Sequence, residues 1–123
     1  METVFTTCPR CGTTWLQRVD FLSDTATSIE RYEADFNDLD DGKFTFHHTT
    51  CGNTLEMPAR LFRDLYNGQV YSERKTGTED CPEYCMNPYE LCPCPEECEC
   101  AYIREIIQVI VNWVKEDYDY DLL

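Results

Sequence analysis

Basic residues are scarce in this sequence, which has 10 Lys and Arg against 24 Asp and Glu and a formal net charge of −14 at pH 7. Most non-specific affinity for nucleic acid comes from Lys and Arg that neutralise phosphates. Because this chain lacks that attraction, we expect no direct binding to nucleic acid. We expect its electrostatic partners to be other proteins with basic surfaces.

Long hydrophobic runs are also missing. The most apolar segment, residues 101–114, is shorter than a bilayer-spanning helix and contains Arg104 and Glu105. The first residues include Glu2 and no apolar run of the length that a secretory signal needs. We therefore expect no membrane partner and a cytoplasmic protein, in a compartment that keeps thiols reduced.

Motifs of common enzymes are absent as well. The sequence has no glycine-rich phosphate loop, no Gly-x-Ser-x-Gly and no His-Glu-x-x-His. Its acidic residues fall on predicted turns and tails, where no pair of carboxylates can be placed in a cleft. We expect no catalytic activity.

Cysteine, in contrast, is abundant, with nine residues in a chain of 123. A chain of this length has a small core, and metals or disulfides often complete such folds. Because the expected compartment is reducing and the number of cysteines is odd, the composition favours metal–thiolate bonds over disulfides.

Six of the cysteines lie within residues 81–100, where four prolines prevent a continuous helix or sheet ladder. One tetrahedral zinc uses four ligands, so the stoichiometry stays open between two metals sharing six thiolates and one four-cysteine site with two spare thiols. A disulfide network is a further alternative. An iron–sulfur cluster is disfavoured because neither usual ferredoxin spacing is present. The candidate ligands are Cys81, Cys85, Cys92, Cys94, Cys98 and Cys100.

A second group of candidate ligands lies in the first half of the chain. Residues 8–12 read Cys-Pro-Arg-Cys-Gly and residues 48–52 read His-Thr-Thr-Cys-Gly. A turn and β-forming residues follow the first motif, which argues against the helix of a thioredoxin-like redox site. The two motifs resemble the paired knuckles of zinc-ribbon domains. The four metal ligands would be Cys8, Cys11, His48 and Cys51.

This resemblance covers roughly residues 4–55 and implies a zinc-bound antiparallel sheet without any particular activity. Three thiolates and one imidazole suit a closed structural zinc with no open position for water. Neighbouring side chains of an extended strand point to opposite faces, so His48 is the expected ligand and His47 a surface residue. A rotated register would exchange them.

Hydrophobic periodicity predicts the elements that carry these ligands. We expect strands over residues 4–7, 15–22, 29–36, 43–48 and 54–57, with a tight hairpin turn at residues 40–42. Pro58 should begin a helix that runs to about Tyr66, and Val70 and Tyr71 should pair at a sheet edge. The longest helix is expected over residues 101–115.

The predicted fold class is therefore α+β, with three parts. Residues 1–71 form a small antiparallel zinc-ribbon-like sheet with a short helix, and residues 72–80 form a linker. Residues 81–123 form a unit that contains the cysteine-rich metal-binding segment, the C-terminal helix and an acidic tail.

These features predict a small zinc-stabilised protein-interaction module, such as an adaptor, regulator or accessory subunit. The apolar residues of the C-terminal helix cover more than the stripe of an ordinary surface helix, which favours contact with another protein or with a second copy of the chain. The alternative is a redox or metal sensor, or an iron–sulfur electron-transfer protein, that uses the cysteines of residues 81–100.

Overall fold

A three-stranded antiparallel sheet lies at the centre of the fold, and a two-stranded antiparallel ribbon precedes it in the chain. The computed structural model describes residues 4–79 and 81–115. The chain is α+β, as predicted. Its strands are β1 (Thr6–Thr7), β2 (Thr14–Trp15), β3 (Thr27–Glu33), β4 (Lys43–His48) and β5 (Asn53–Pro58), its α-helices are α1 (Arg18–Ser23) and α2 (Ala101–Val111), and its 3-10 helices are Leu39–Asp41, Ala59–Leu65 and Tyr84–Met86.

Strand β4 is the middle strand of the sheet, paired with β3 on one side and β5 on the other. Its Phe44 pairs with Tyr32 and Met57, and its Phe46 pairs with Leu55 on β5. All five side chains are buried. Alternation along the strands therefore gives the sheet one continuous apolar face.

Aromatic rings fill the space above this face. The Phe62 ring is fully buried, with its centroid 5.6 Å from those of Phe44 and Phe46. Phe21, from α1, lies 4.9 Å from Phe46 and 5.0 Å from Trp15, both edge-on. Phe21 thus connects the two-stranded ribbon to the sheet.

Helix α2 packs against β3 and the 3-10 helix Ala59–Leu65. Beyond its last residue, the Trp113 indole donates to Ser23 Oγ at 3.1 Å and Lys115 Nζ donates to the Leu22 carbonyl at 2.6 Å. These bonds fix the end of the helix on α1. Most of the apolar face of α2 is used inside the molecule, by Ala101, Tyr102, Ile103, Ile106, Ile107 and Ile110.

The strand expected over residues 15–22 is wrong, because β2 ends at Trp15 and a helix begins at Arg18. Its alternating pattern also fits one helical turn that buries the adjacent Phe21 and Leu22. The backbone N–H of Gln17 donates to Asp20 Oδ2 at 3.1 Å, which stabilises the helix start. Local capping therefore decides the structure of this segment.

The tight hairpin turn expected at residues 40–42 is also wrong, since β3 ends at Glu33 and β4 begins at Lys43. Asp38 Oδ1 accepts from the Asp40 backbone N–H at 3.1 Å and starts a 3-10 turn instead. Gly42 has no left-handed backbone; a Cβ there would lie 2.8 Å from the Tyr32 ring. Close packing therefore accounts for this glycine.

Other elements differ in their type or length. The helix after Pro58 is 3-10, no strand forms at Val70 and Tyr71, and α2 ends at Val111. The predicted acidic tail, residues 116–123, lies outside the described residues. None of the described helices is long and apolar enough to cross a membrane.

Phe62 and Leu61 provide a test of this core with adjacent residues. Phe62 is fully buried and Leu61 is 42% exposed. We expect Phe62→Ala to lower the free energy of unfolding by about 3–5 kcal/mol because it leaves a cavity, and Leu61→Ala to change it by less than about 0.5 kcal/mol. Urea denaturation of the metal-loaded protein measures both. Equal effects would contradict the packing described.

Candidate metal centre

The first pair of candidate ligands lies in the turn between β1 and β2. The Cys8 backbone N–H donates to the Thr13 carbonyl at 2.8 Å, and the Gly12 N–H donates to the Cys8 carbonyl at 2.9 Å. Gly12 has a φ of 81°, a left-handed conformation that favours glycine. The turn brings Cys8 and Cys11 toward the same point.

The second pair lies at the end of β4 and repeats this geometry. The Gly52 N–H donates to the His48 carbonyl at 2.8 Å, and Gly52 has a φ of 76°. In each turn, a glycine four residues after the first ligand closes the loop. The repeated Cys-Gly dipeptide therefore has a conformational cause in both turns.

The four ligand atoms of Cys8, Cys11, His48 and Cys51 all lie within 4.8 Å of one another. The Cys8 and Cys51 sulfurs are 3.5 Å apart, and His48 Nδ1 is 3.5 Å from the Cys51 sulfur and 3.7 Å from the Cys11 sulfur. In a tetrahedral zinc site, the bond lengths require about 3.8 Å between sulfurs and about 3.6 Å between sulfur and nitrogen. The spacing is therefore suited to one metal ion.

His48, rather than His47, turns toward the sulfurs. It is 1% exposed, and its ring lies edge-on to Trp15 with centroids 5.1 Å apart. His47 is half-buried and alternates with His48 along β4. The indole therefore holds the imidazole in the orientation that metal binding needs.

Backbone amides shape the electrostatics of this site. The N–H groups of Cys11 and Arg10 donate to the Cys8 sulfur and hold its pKa at about 6, although burial acts in the opposite direction. Burial raises the pKa of Cys51. Cys8 therefore favours the thiolate form that binds metal, and Cys51 requires a cation to stabilise its charge.

With four protein ligands, a tetrahedral metal ion at this site has no position left for water or substrate. The arrangement can bind a metal and join two turns of the chain. It supplies no open coordination position for hydrolysis.

The six cysteines of residues 81–100 are only partly brought together. Five of them line one cavity of about 10 Å³: Cys81, Cys85, Cys94, Cys98 and Cys100. Cys92 is exposed and outside the cavity, and its backbone N–H donates to Glu90 Oε1 at 3.1 Å. Within residues 4–79 and 81–115, no second set of three or more metal-ligating groups meets the 4.8 Å spacing of the first site.

Sequence reasoning missed one residue beside these thiols, the fully buried Arg104. Its positive charge acts to lower the pKa of both Cys85 and Cys100, although other groups shift these pKa values more. The sequence signal for the burial of Arg104 was its position next to Ile103, within the apolar pattern of α2.

The two adjacent histidines test the ligand set of the first site. We expect His48→Asn to lose one metal ion per chain, because the carboxamide is a much poorer zinc ligand than imidazole. His47→Asn should keep the wild-type metal content. Native mass spectrometry of the two variants measures the difference, and loss of metal in His47→Asn alone would show that the register is wrong.

Comparisons with known proteins add no family to this geometry. No family model, curated protein or solved structure matches the chain. The likeness to a zinc ribbon therefore consists of the two knuckle motifs and the way their ligands converge.

Proposed function

We propose that Cys8, Cys11, His48 and Cys51 bind a structural zinc ion, and that the protein is a small zinc-stabilised interaction module without catalysis of its own. The observation that carries this proposal is the spacing of three sulfurs and one imidazole nitrogen, all within 4.8 Å. A closed site of this composition stabilises a fold and has no open coordination position at which the metal could act on a substrate.

The choice of zinc follows from the donor atoms. Three thiolates and one imidazole are soft or borderline ligands that suit zinc, whereas calcium and magnesium require oxygen ligands. Zinc also takes the tetrahedral geometry of this spacing without redox chemistry. The donor set thus supports a stable, colourless metal centre.

A structural role is supported by the shortness of the ribbon's own strands. Strands β1 and β2 contain two residues each, and an isolated hairpin is at best marginally stable in water. Zinc joins the turn between these strands to the turn after β4. Binding energy at such a site contributes directly to folding.

The surface features support a protein partner with a basic segment. Helix α2 packs its apolar face inside the molecule. Of the apolar residues at its C-terminal end and just after it, only Val111 and Val114 are largely exposed within the described part of the chain. The charged residues that line an open groove of about 430 Å³ are Glu33, Asp35, Asp41 and Lys43. Glu33 and Asp41 already form ion pairs with Arg31 and Arg60, whereas Asp35 forms none among the described residues. The Asp35 carboxylate and the net charge suit a lysine or arginine side chain of the partner.

The second candidate function is a redox or metal sensor. The observation that favours it is the cavity lined by five cysteines. Oxidation of such thiols, or exchange of a metal between them, would change how α2 is held because Cys100 directly precedes it. An iron–sulfur electron-transfer protein that uses the same cysteines belongs to this second candidate.

Replacing one ligand tests the structural zinc. We expect Cys51→Ser to lose one zinc per chain and to lower the free energy of unfolding by more than about 4 kcal/mol, as expected for loss of a structural metal. Cys92→Ser is the matched control because Cys92 is exposed. Metal analysis and thermal unfolding measure both variants. An unchanged unfolding midpoint in Cys51→Ser would refute the structural role.

The partner proposal requires a purified complex. After crosslinking in cells identifies a partner, its affinity for the full chain should fall as salt rises and in a Glu33→Gln, Asp35→Asn double variant. Glu79→Gln, which changes an exposed carboxylate outside the groove, should retain the wild-type affinity. Binding that is insensitive to salt and to the double variant would exclude this groove as the contact surface.

A further inference from the structure

Three buried side-chain polar atoms in the described residues have no hydrogen-bond partner: the Tyr32 hydroxyl, Thr76 Oγ1 and Arg104 Nη1. Folded proteins leave few such atoms, because each costs free energy without a partner. Two of them are neighbours of residues that line the cysteine cavity: the Arg104 guanidinium lies 5.8 Å from the centroid of the Tyr84 ring, which is part of the wall. Thr76 follows Lys75, a residue of the same wall, and the Arg104 guanidinium lies 5.9 Å from the centroid of the Tyr32 ring.

Of these three groups, Arg104 costs the most free energy to bury because it carries a charge and is 0% exposed. Its Nε donates to the Cys92 carbonyl at 2.9 Å and its Nη2 to the Glu90 carbonyl at 2.5 Å. No carboxylate among the described residues forms an ion pair with it. The two hydrogen-bond acceptors of its side chain are neutral carbonyls. The Glu90 carboxylate, whose pKa is lowered chiefly by hydrogen bonds from Cys92 and also by the charge of Arg104, forms no ion pair with it. A buried cation in this position would be stabilised by further negative charge nearby.

The sulfurs around the cavity can supply that charge. Cys85, Cys98 and Cys100 are 7%, 2% and 3% exposed, and the last two sulfurs are 3.4 Å apart. The Arg104 backbone N–H also donates to the Cys100 carbonyl at 3.4 Å, which places this residue beside one of these cysteines. Thiols are neutral, but metal-bound thiolates carry negative charge and accept hydrogen bonds strongly.

The backbone around these cysteines also resembles that of the first site. The Lys75 N–H donates to the Cys98 sulfur at 3.2 Å, and the Glu83 N–H donates to the Cys81 sulfur at 3.3 Å. In the first site, the backbone N–H groups of Cys11 and Arg10 likewise lower the pKa of the Cys8 sulfur. Backbone N–H groups directed at sulfur stabilise thiolates in both places.

We propose that Cys85, Cys98 and Cys100, with Cys81 or Cys94 as the fourth ligand, bind a second divalent thiophilic cation, and that Arg104 is the counter-charge of this centre. Four thiolates and a divalent cation carry a net charge of about −2, which the buried guanidinium partly balances. This inference does not depend on the first site.

The geometry favours one ion over two at this second site. A cavity of about 10 Å³ corresponds to roughly one small probe sphere, which suits a single ion. Cys92 lies outside the cavity, so two metals sharing six thiolates would lack one of their ligands. The sulfurs are less tightly grouped than in the first site, and metal binding would draw them together.

Such a centre would attach α2 to the irregular segment before it. Cys98 and Cys100 lie immediately before the helix, while Cys85 lies in the 3-10 helix Tyr84–Met86. The segment contains no strand and only one short 3-10 helix, and one of the bonds that attach it to the sheet runs from the Tyr32 N–H to the Pro88 carbonyl at 2.8 Å. The second metal would therefore position the C-terminal helix.

Native mass spectrometry of the full chain, loaded with zinc and purified without oxygen, tests the proposal. Wild type should carry two zinc ions, and Cys85→Ser, Cys98→Ser and Cys100→Ser one each. Cys92→Ser should keep both, and His48→Asn should keep only the second-site ion. One zinc in wild type, equal losses in Cys92→Ser and Cys100→Ser, or iron with sulfide would overturn the second site. Because His48→Asn should remove only the first-site ion, the zinc count of this variant shows which of the two sites fails to bind metal.

A measurement on wild type avoids variants that fail to fold. Zinc X-ray absorption should give an average of about 3.5 sulfurs per zinc for one three-sulfur and one four-sulfur site. About 3 sulfurs per zinc, with a single zinc bound, would overturn the proposal.

The role of Arg104 has its own readout, the rate at which a chelator removes zinc from each site. Arg104→Leu should release the second-site zinc about tenfold faster or more, as loss of an outer-shell partner does, and should leave the first-site rate unchanged. Arg104→Lys, which retains the charge, should release it more slowly than Arg104→Leu. Equal acceleration at both sites would indicate general destabilisation and would refute the counter-charge role.

Discussion

The convergence of three sulfurs and one imidazole on a single point is the constraint on which this structure depends. Cys8 and Cys11 lie in one turn, and His48 and Cys51 lie in another that is distant in sequence. Strands β1 and β2 are too short to fix their own position. A cation at this point would therefore determine where the ribbon lies against the sheet.

The aromatic core and the metal centre share residues and support each other. The Trp15 ring contacts both the His48 imidazole and Phe21, so the orientation of the ligand depends on the packing of the core. In return, a bound metal would hold Trp15 and α1 against the sheet. Such coupling would help a chain of 123 residues to maintain several short elements in one arrangement.

Local signals in the sequence predicted much of the Cys8, Cys11, His48 and Cys51 cluster and less of the arrangement of the cysteines in residues 81–100. Strand β4 has the predicted bounds, because its alternating Phe44 and Phe46 match a half-buried strand, and this register placed His48 toward the other ligands. Helix α1 was missed because capping at Gln17 overrode alternation. Arg104 and the exclusion of Cys92 from the cavity depend on long-range packing, which spacing within residues 81–100 does not encode.

The most direct test of the account is amide hydrogen exchange of the wild-type chain with and without metal. The Gly12 and Gly52 N–H groups close the two turns, on the Cys8 and His48 carbonyls. If a bound cation fixes these turns, both amides should be protected in the zinc-loaded protein and exchange rapidly after chelation. Equal protection in the two states would contradict the claim that metal holds the fold together.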